Sequence, residues 1–144
     1  MRTVRVVVAD QIQAKFFNSV GATPNLQPAG TLVDPAGRQH EQEFGSGRPG
    51  SVVTSRRGHY ALQHRGSRKA HKVDLFAKQI AEQLATDANA GAFDDLAIVA
   101  APRFLGALRR ALPPALRNLV KHEIRHDLVH QSDAVIRDHL PEHW

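Results

Sequence analysis

Hydrophobic positions divide the chain into a strand-rich beginning, a long unpatterned middle and a helical second half. Residues 2 to 9 are dominated by β-branched side chains, with Val4, Val6, Val7 and Val8 interrupted only by Arg5, which predicts a largely buried strand. The run AKFFNSV at 14 to 20 follows a short polar turn and predicts a second strand paired antiparallel with the first. Leu26 to Val33 predicts a third, but Pro28 removes a ladder donor and Gly30 weakens the strand, so its place is near an edge.

From Asp34 to about His71 neither period is sustained. Gly37, Gly45, Gly47, Pro49, Gly50, Gly58 and Gly66 punctuate the stretch, which reads as a long loop at about 34 to 72, with VVTS at 52 to 55 a possible short strand within it.

Periodicity returns at Lys72. Val73, Phe76, Ala77, Ile80, Ala81 and Leu84 recur at steps of three and four and predict a helix to Asn89, stopped by Gly91. LAIVAA at 96 to 101 is continuously apolar, as in a central strand covered on both faces. Pro102 then suits the first turn of a helix ending near Pro113-Pro114. A short helix at 114 to 120, a strand within 121 to 129 and a terminal helix capped by Ser132 complete the chain. Leu116, Leu119, Val120, Ile124 and Leu128 would equally suit a continuing helix, so the 121 to 129 segment stays open between strand and helix.

This order predicts an α/β fold with a mixed β-sheet, antiparallel at first and parallel where helices cross over, with helices on both faces. It is the order of a ribonuclease-H-like fold. A length of 144 residues with 42% hydrophobic positions suits one domain spanning 1 to 144.

Charge adds a location. Residues 34 to 72 hold eight Lys or Arg against three acids, an excess equal to the whole chain's net charge of +5. Within it, SRRGHYALQHRGSRKAHK at 55 to 72 contains no acid. Such concentration is the footprint of a polyanion partner, against the plainer reading of a charged loop kept soluble by its cations. Guanidinium groups fork onto phosphates, and His59 and Tyr60 offer rings on which an exposed base would stack. The candidate nucleic-acid-binding residues are therefore Arg48, Arg56, Arg57, His59, Tyr60, Arg65, Arg68, Lys69 and Lys72. Arg103, Arg109 and Arg110 either extend this surface or solvate the outer face of their helix.

Catalytic chemistry has less support. The chain has no Cys, which excludes a thiol nucleophile and thiolate zinc, and no nucleophile elbow, HExxH or phosphate-binding glycine loop. Asp10 ends the first strand where a nuclease would hold a metal, but no acid ends the LAIVAA strand to join it; a turn role is favoured. His122, His126 and His130 recur every fourth residue, which would align them for a metal on a helix and separate them by about 13 Å on a strand; an exposed polar face is favoured. We expect no catalytic residue, metal or cofactor.

GRPG at 47 to 50, RRGHYA at 56 to 61, LFAKQIAEQL at 75 to 84, LAIVAAPRFLGALRRALPPALR at 96 to 117 and HDLV at 126 to 129 together resemble the bacterial host attachment family, proteins required for attachment to host cells. That family is similar to the middle domain of the archaeal and eukaryotic peptide-chain release factor, whose GGQ tripeptide is carried on the loop before a long helix. Here that place reads Arg57, Gly58, His59, Tyr60, without the tripeptide. The resemblance implies a shape and a ribosome or tRNA partner, and gives no support for peptidyl-tRNA hydrolysis.

The N-terminus lacks the length and cleavage site of a signal peptide, and no run approaches the roughly 18 apolar residues of a membrane span. The expectation is a cytoplasmic, non-catalytic protein that contacts structured RNA, ribosome or tRNA, through its basic loop, with no membrane partner. An adaptor in host attachment that recognises an acidic protein is the alternative, and a nuclease or peptidyl-tRNA hydrolase the third reading.

Overall fold

The central strand β1 (Thr3–Ala9) is buried from Val4 to Ala9 because both its edges and both its faces are covered. The computed structural model of the protein describes residues 2–34 and 58–144, with side-chain surroundings for 2–34 and 71–144. β1 pairs antiparallel with β2 (Gln13–Val20), from Thr3 opposite Val20 to Ala9 opposite Ala14. β2 pairs antiparallel with β3 (Gln27–Val33), where a bulge falls between Phe16 and Phe17 and Gly30 takes a φ of 131°. β3 is an edge strand, as Pro28 and Gly30 predict, and most of its residues are exposed.

On its other side β1 runs parallel to β4 (Asp95–Ala100), every residue of which is buried, and β4 runs parallel to β5 (Val120–Ile124). The five strands form one mixed sheet in the order β3-β2-β1-β4-β5. This is the predicted α/β class, antiparallel where hairpins connect the strands and parallel where helices do.

Helix α1 (Gly58–Asn89) precedes β4, α2 (Pro102–Ala111) and α3 (Pro114–Arg117) lie between β4 and β5, and α4 (Asp133–Asp138) follows β5. Strand alternation sends Val7, Ala9, Phe16, Leu96 and Ile98 to one face, where they pack against Phe76, Ile80 and Leu84 of α1, Phe104, Leu105 and Leu108 of α2, and Leu116 of α3. Val4, Val6, Val8, Phe17, Ala97 and Val99 point to the other face, against Leu128, Val129, Ile136 and Leu140. Helices cover the first face, whereas the second is covered by the six-residue α4 together with the irregular segments on either side of it. Ser132 caps α4 as expected, its hydroxyl accepting from the Val135 N–H.

One expectation is corrected. The stretch 58 to 71, read as the end of a long loop, is the first part of α1, a helix of 32 residues. Gly58 and Gly66 read as breakers, yet a glycine costs a helix only about 1 kcal/mol, and Ala61, Leu62, Gln63, Arg65, Arg68, Lys69 and Ala70 are all good helix formers. The remainder of the predicted loop, including the VVTS segment, lies outside the described residues. The 121 to 129 segment resolves as a strand at its start only, since β5 ends at Ile124.

Candidate functional site

The candidate site begins with the length of α1. At about 1.5 Å per residue its 32 residues span roughly 48 Å. The six residues of β4 span about 20 Å. Among the residues whose side-chain surroundings are described, the core positions of α1 run from Val73 to Ala88, which fit the sheet in length. Positions 58 to 72 make up the rest of the helix, and in them fall His59, Tyr60, Arg65, Arg68, Lys69 and Lys72. Lys72 is exposed. The helical backbone brings positions 65, 68 or 69, and 72 onto one side within two turns, a clustering that a loop would not impose. Arg48, Arg56 and Arg57 lie outside the described residues.

Asp10, at the carboxyl end of β1, closes the β1–β2 turn. Its Oδ1 accepts from the N–H groups of Ile12 and Gln13, both at 2.8 Å, and its Oδ2 lies 3.5 Å from His130 Nε2. His130 Nδ1 is 3.1 Å from Gln13 Nε2. This is turn chemistry with a clamp from the segment after β5. Asp94 and Asp95 stand at the opposite end of the sheet: Asp94 Oδ2 accepts from Thr3 N–H at 2.8 Å, and Asp95 takes two bonds of 2.9 Å from Arg2. Those bonds hold the Asp95 carboxyl below the usual carboxylate range and raise the Arg2 guanidinium.

The three histidines spaced by four are separated by the chain's turn after β5. His122 packs on Trp144 with ring centroids 5.2 Å apart, His126 on His139 at 4.8 Å, and His130 meets Asp10. Among the described residues no group of three or more His, Cys, Asp or Glu is placed to hold a metal ion.

A second basic feature was legible only in part. Arg109 and Arg110 end α2, Arg117 ends α3, and with Leu112, Val120 and Glu123 they line an open groove of about 360 Å³. Arg109 forks onto Glu123; these hydrogen bonds hold the Glu123 carboxyl below its usual range and raise Arg109. Arg110 reaches Asp74 of α1 at 3.4 Å, and Arg117 Nε donates to the Leu112 carbonyl at 2.9 Å. Arg103 is exposed and has no ion pair among the described residues. So Arg109 and Arg110 do more than solvate a helix face. Arg117 carried no sequence signal beyond its place in a last helical turn.

No helix among the described residues is long and apolar enough to cross a membrane. No protein with a curated description matches the chain. The sequence profile described as "Protein required for attachment to host cells" matches residues 5–140, nearly the whole length over which the sheet and helices are built. The chain belongs to the family of proteins required for attachment to host cells.

Proposed function

We propose that this protein is a cytoplasmic, non-catalytic binding protein that contacts structured RNA through the N-terminal half of α1 and the basic residues before it, and that this contact serves its family's role in attachment to host cells. The observation that carries the reading is the start of α1 at Gly58, which places Arg65, Arg68, Lys69 and Lys72 at positions of one helix that is longer than the strands it packs on. The segment that includes them holds an excess of charge equal to that of the whole chain. Cationic residues at helical positions spaced by three and four suit a phosphate backbone, whose contacts position a protein without reading sequence.

The strand order β3-β2-β1-β4-β5, with only β2 against the direction of β1, β4 and β5, supports a ribonuclease-H-like assignment and the likeness to the release-factor middle domain. In that comparison the loop before the long helix is the part that reaches the ribosome. Ribosome and tRNA are accordingly the partners to test first.

Filter binding to ribosomes and to tRNA across a salt series tests the proposal. Replacing Arg65, Arg68 and Lys72 together by Gln is expected to weaken binding and to flatten the log–log salt dependence by about 0.7 to 0.9 for each phosphate that is no longer neutralised. Absent or salt-independent binding overturns it. Family membership favours one further reading, an adaptor that recognises an acidic protein in attachment. A pull-down from nuclease-treated lysate separates the two: an RNA binder loses its partners and an adaptor keeps them.

A further inference from the structure

The groove walled by α2, α3 and β5 has a charge pattern that the RNA reading does not use. Among the described residues three arginines and one glutamate line it, two more cations than acids, with Asp74 of α1 just outside facing Arg110. Glu123 is committed to Arg109. Arg110 has only a long contact with Asp74, in which both side chains are mostly exposed. Arg117 is held differently. Its Nε caps the carbonyl of Leu112 at the end of α2, which fixes the plane of the guanidinium, while its terminal nitrogens have no partner among the described residues. Cations in a last helical turn suit the negative end of the helix dipole, but that role occupies one nitrogen of Arg117 and leaves the rest of the fork available. Leu112, 2% exposed, and Val120 supply an apolar wall beside these cations.

We propose that this groove binds a phosphate monoester, with the phosphoryl group bridging Arg110 and Arg117 and the small organic body lying against Leu112 and Val120. A phosphate monoester carries close to two negative charges at neutral pH, which suits the positive excess of the groove's lining. Its oxygens accept forked N–H donors from planar guanidinium groups. A volume of about 360 Å³ is at the small end of ligand clefts and suits an ester of sugar size. Among the described residues Glu123 is the acid in the groove's lining and opposes the anion, so it sets the affinity as well as holding Arg109.

Titration of the full-length protein with ribose 5-phosphate, followed by arginine Nε–Hε resonances and by calorimetry, tests the site. Saturable shifts of Arg110 and Arg117 are expected, with none from ribose. Arg117→Gln is expected to weaken binding at least tenfold and Arg117→Lys severalfold, because a lysine restores the charge without the fork. Glu123→Gln is expected to strengthen binding severalfold, a gain that a purely structural Arg109–Glu123 pair would not produce. Arg103→Gln, at the other end of α2, leaves affinity unchanged. A parallel titration with a trinucleotide, with and without a 5′-phosphate, assigns the source: a 5′-phosphorylated trinucleotide that binds more tightly than ribose 5-phosphate marks an RNA end, and equal affinity marks a free ester. Absence of saturable shifts in the wild type, or a Glu123→Gln variant that folds and binds no more tightly, overturns the proposal. Among the described residues no α1 cation lines this groove, so Arg117→Gln and the joint replacement of Arg65, Arg68 and Lys72 read the two sites separately.

Discussion

Arg5 Nη1 lies 2.6 Å from Asp87 Oδ2, joining the central strand to the last turns of α1 across 82 positions of sequence. The Arg5 side chain is 5% exposed, its Nε donates to Asn18 Oδ1 at 2.7 Å, and its guanidinium carbon sits 5.1 Å from the centre of the Phe93 ring. A charge in the middle of a strand is thereby paired, hydrogen-bonded and set over an aromatic face.

Removing the partner is worse than lacking the pair. Asp87→Ala leaves a buried guanidinium with only Asn18 and Phe93, and is expected to destabilise the protein by about 3 kcal/mol, at the low end for a broken buried pair because Asp87 is itself a quarter exposed. Urea unfolding measures it, and a loss under about 1 kcal/mol would show that water or a side-chain shift replaces the carboxylate.

Acid should weaken the protein through Asp95 and Glu123. Both carboxyls are held below the usual range by arginine hydrogen bonds, so in the folded state they bind fewer protons than the unfolded chain does. Their contribution is therefore complete above about pH 4 and is lost as pH falls through their depressed folded values. The Arg2 and Arg109 ends of these pairs are open to water, so each pair's share is modest. An Asp95→Asn, Glu123→Gln double variant should show a shallower loss of stability between pH 5 and pH 2 than the wild type, and parallel curves would contradict the assignment.

Trp144 fastens the end of the chain to the end of β2 and the turn that follows it. Its indole N–H donates to Ser19 Oγ at 2.8 Å and its backbone N–H to the Ala22 carbonyl at 2.8 Å. Ser19 is fully buried and its hydroxyl also accepts from Asn25 N–H. Trp144→Phe keeps an aromatic ring beside His122 but removes the donor, and is expected to cost about 1 to 2 kcal/mol. Thermal unfolding by circular dichroism checks this, and an unchanged midpoint would mean the Ser19 hydroxyl finds another partner.

Ala70→Pro separates the two halves of α1. A proline there removes one helical hydrogen bond and clashes with the preceding turn, while the described core positions of α1, from Val73 on, all follow it. The helical signal of positions 58 to 69 should fall, the unfolding midpoint of the core should move little, and RNA binding should weaken. Nitrogen-15 and carbon chemical shifts read the first effect residue by residue. If 58 to 69 show no helical shifts in the wild type, the helix does not extend to Gly58.

Apolar period determined where the sheet and its covering helices are. The runs at β1 and β4 announced strands covered on both faces, and the three- and four-residue steps from Val73 to Leu84 announced the packed face of α1. Pro28 and Gly30 marked an edge, and Ser132 marked a helix start, because those residues act on their own backbone. The same signal failed at 58 to 71 for a physical reason: apolar periodicity records burial, and this part of α1 has no matching apolar face, so its helicity was visible only in propensities that two glycines obscured.

Tertiary structure decided the rest by bringing together residues distant in sequence. VKHEI was ambiguous until pairing with β4 made it a strand, and the turn after Ile124 then sent His122, His126 and His130 to three different neighbours. The α2–α3–β5 groove exists because Arg109 meets Glu123 fourteen positions on and Arg110 meets Asp74 thirty-six positions back. Charge composition determined that the chain is basic between 34 and 72. Which cations stand paired with an acid and which remain available for an anion is fixed only when the sheet brings their elements together, since a charge's effective field depends on what lies within a few ångströms of it.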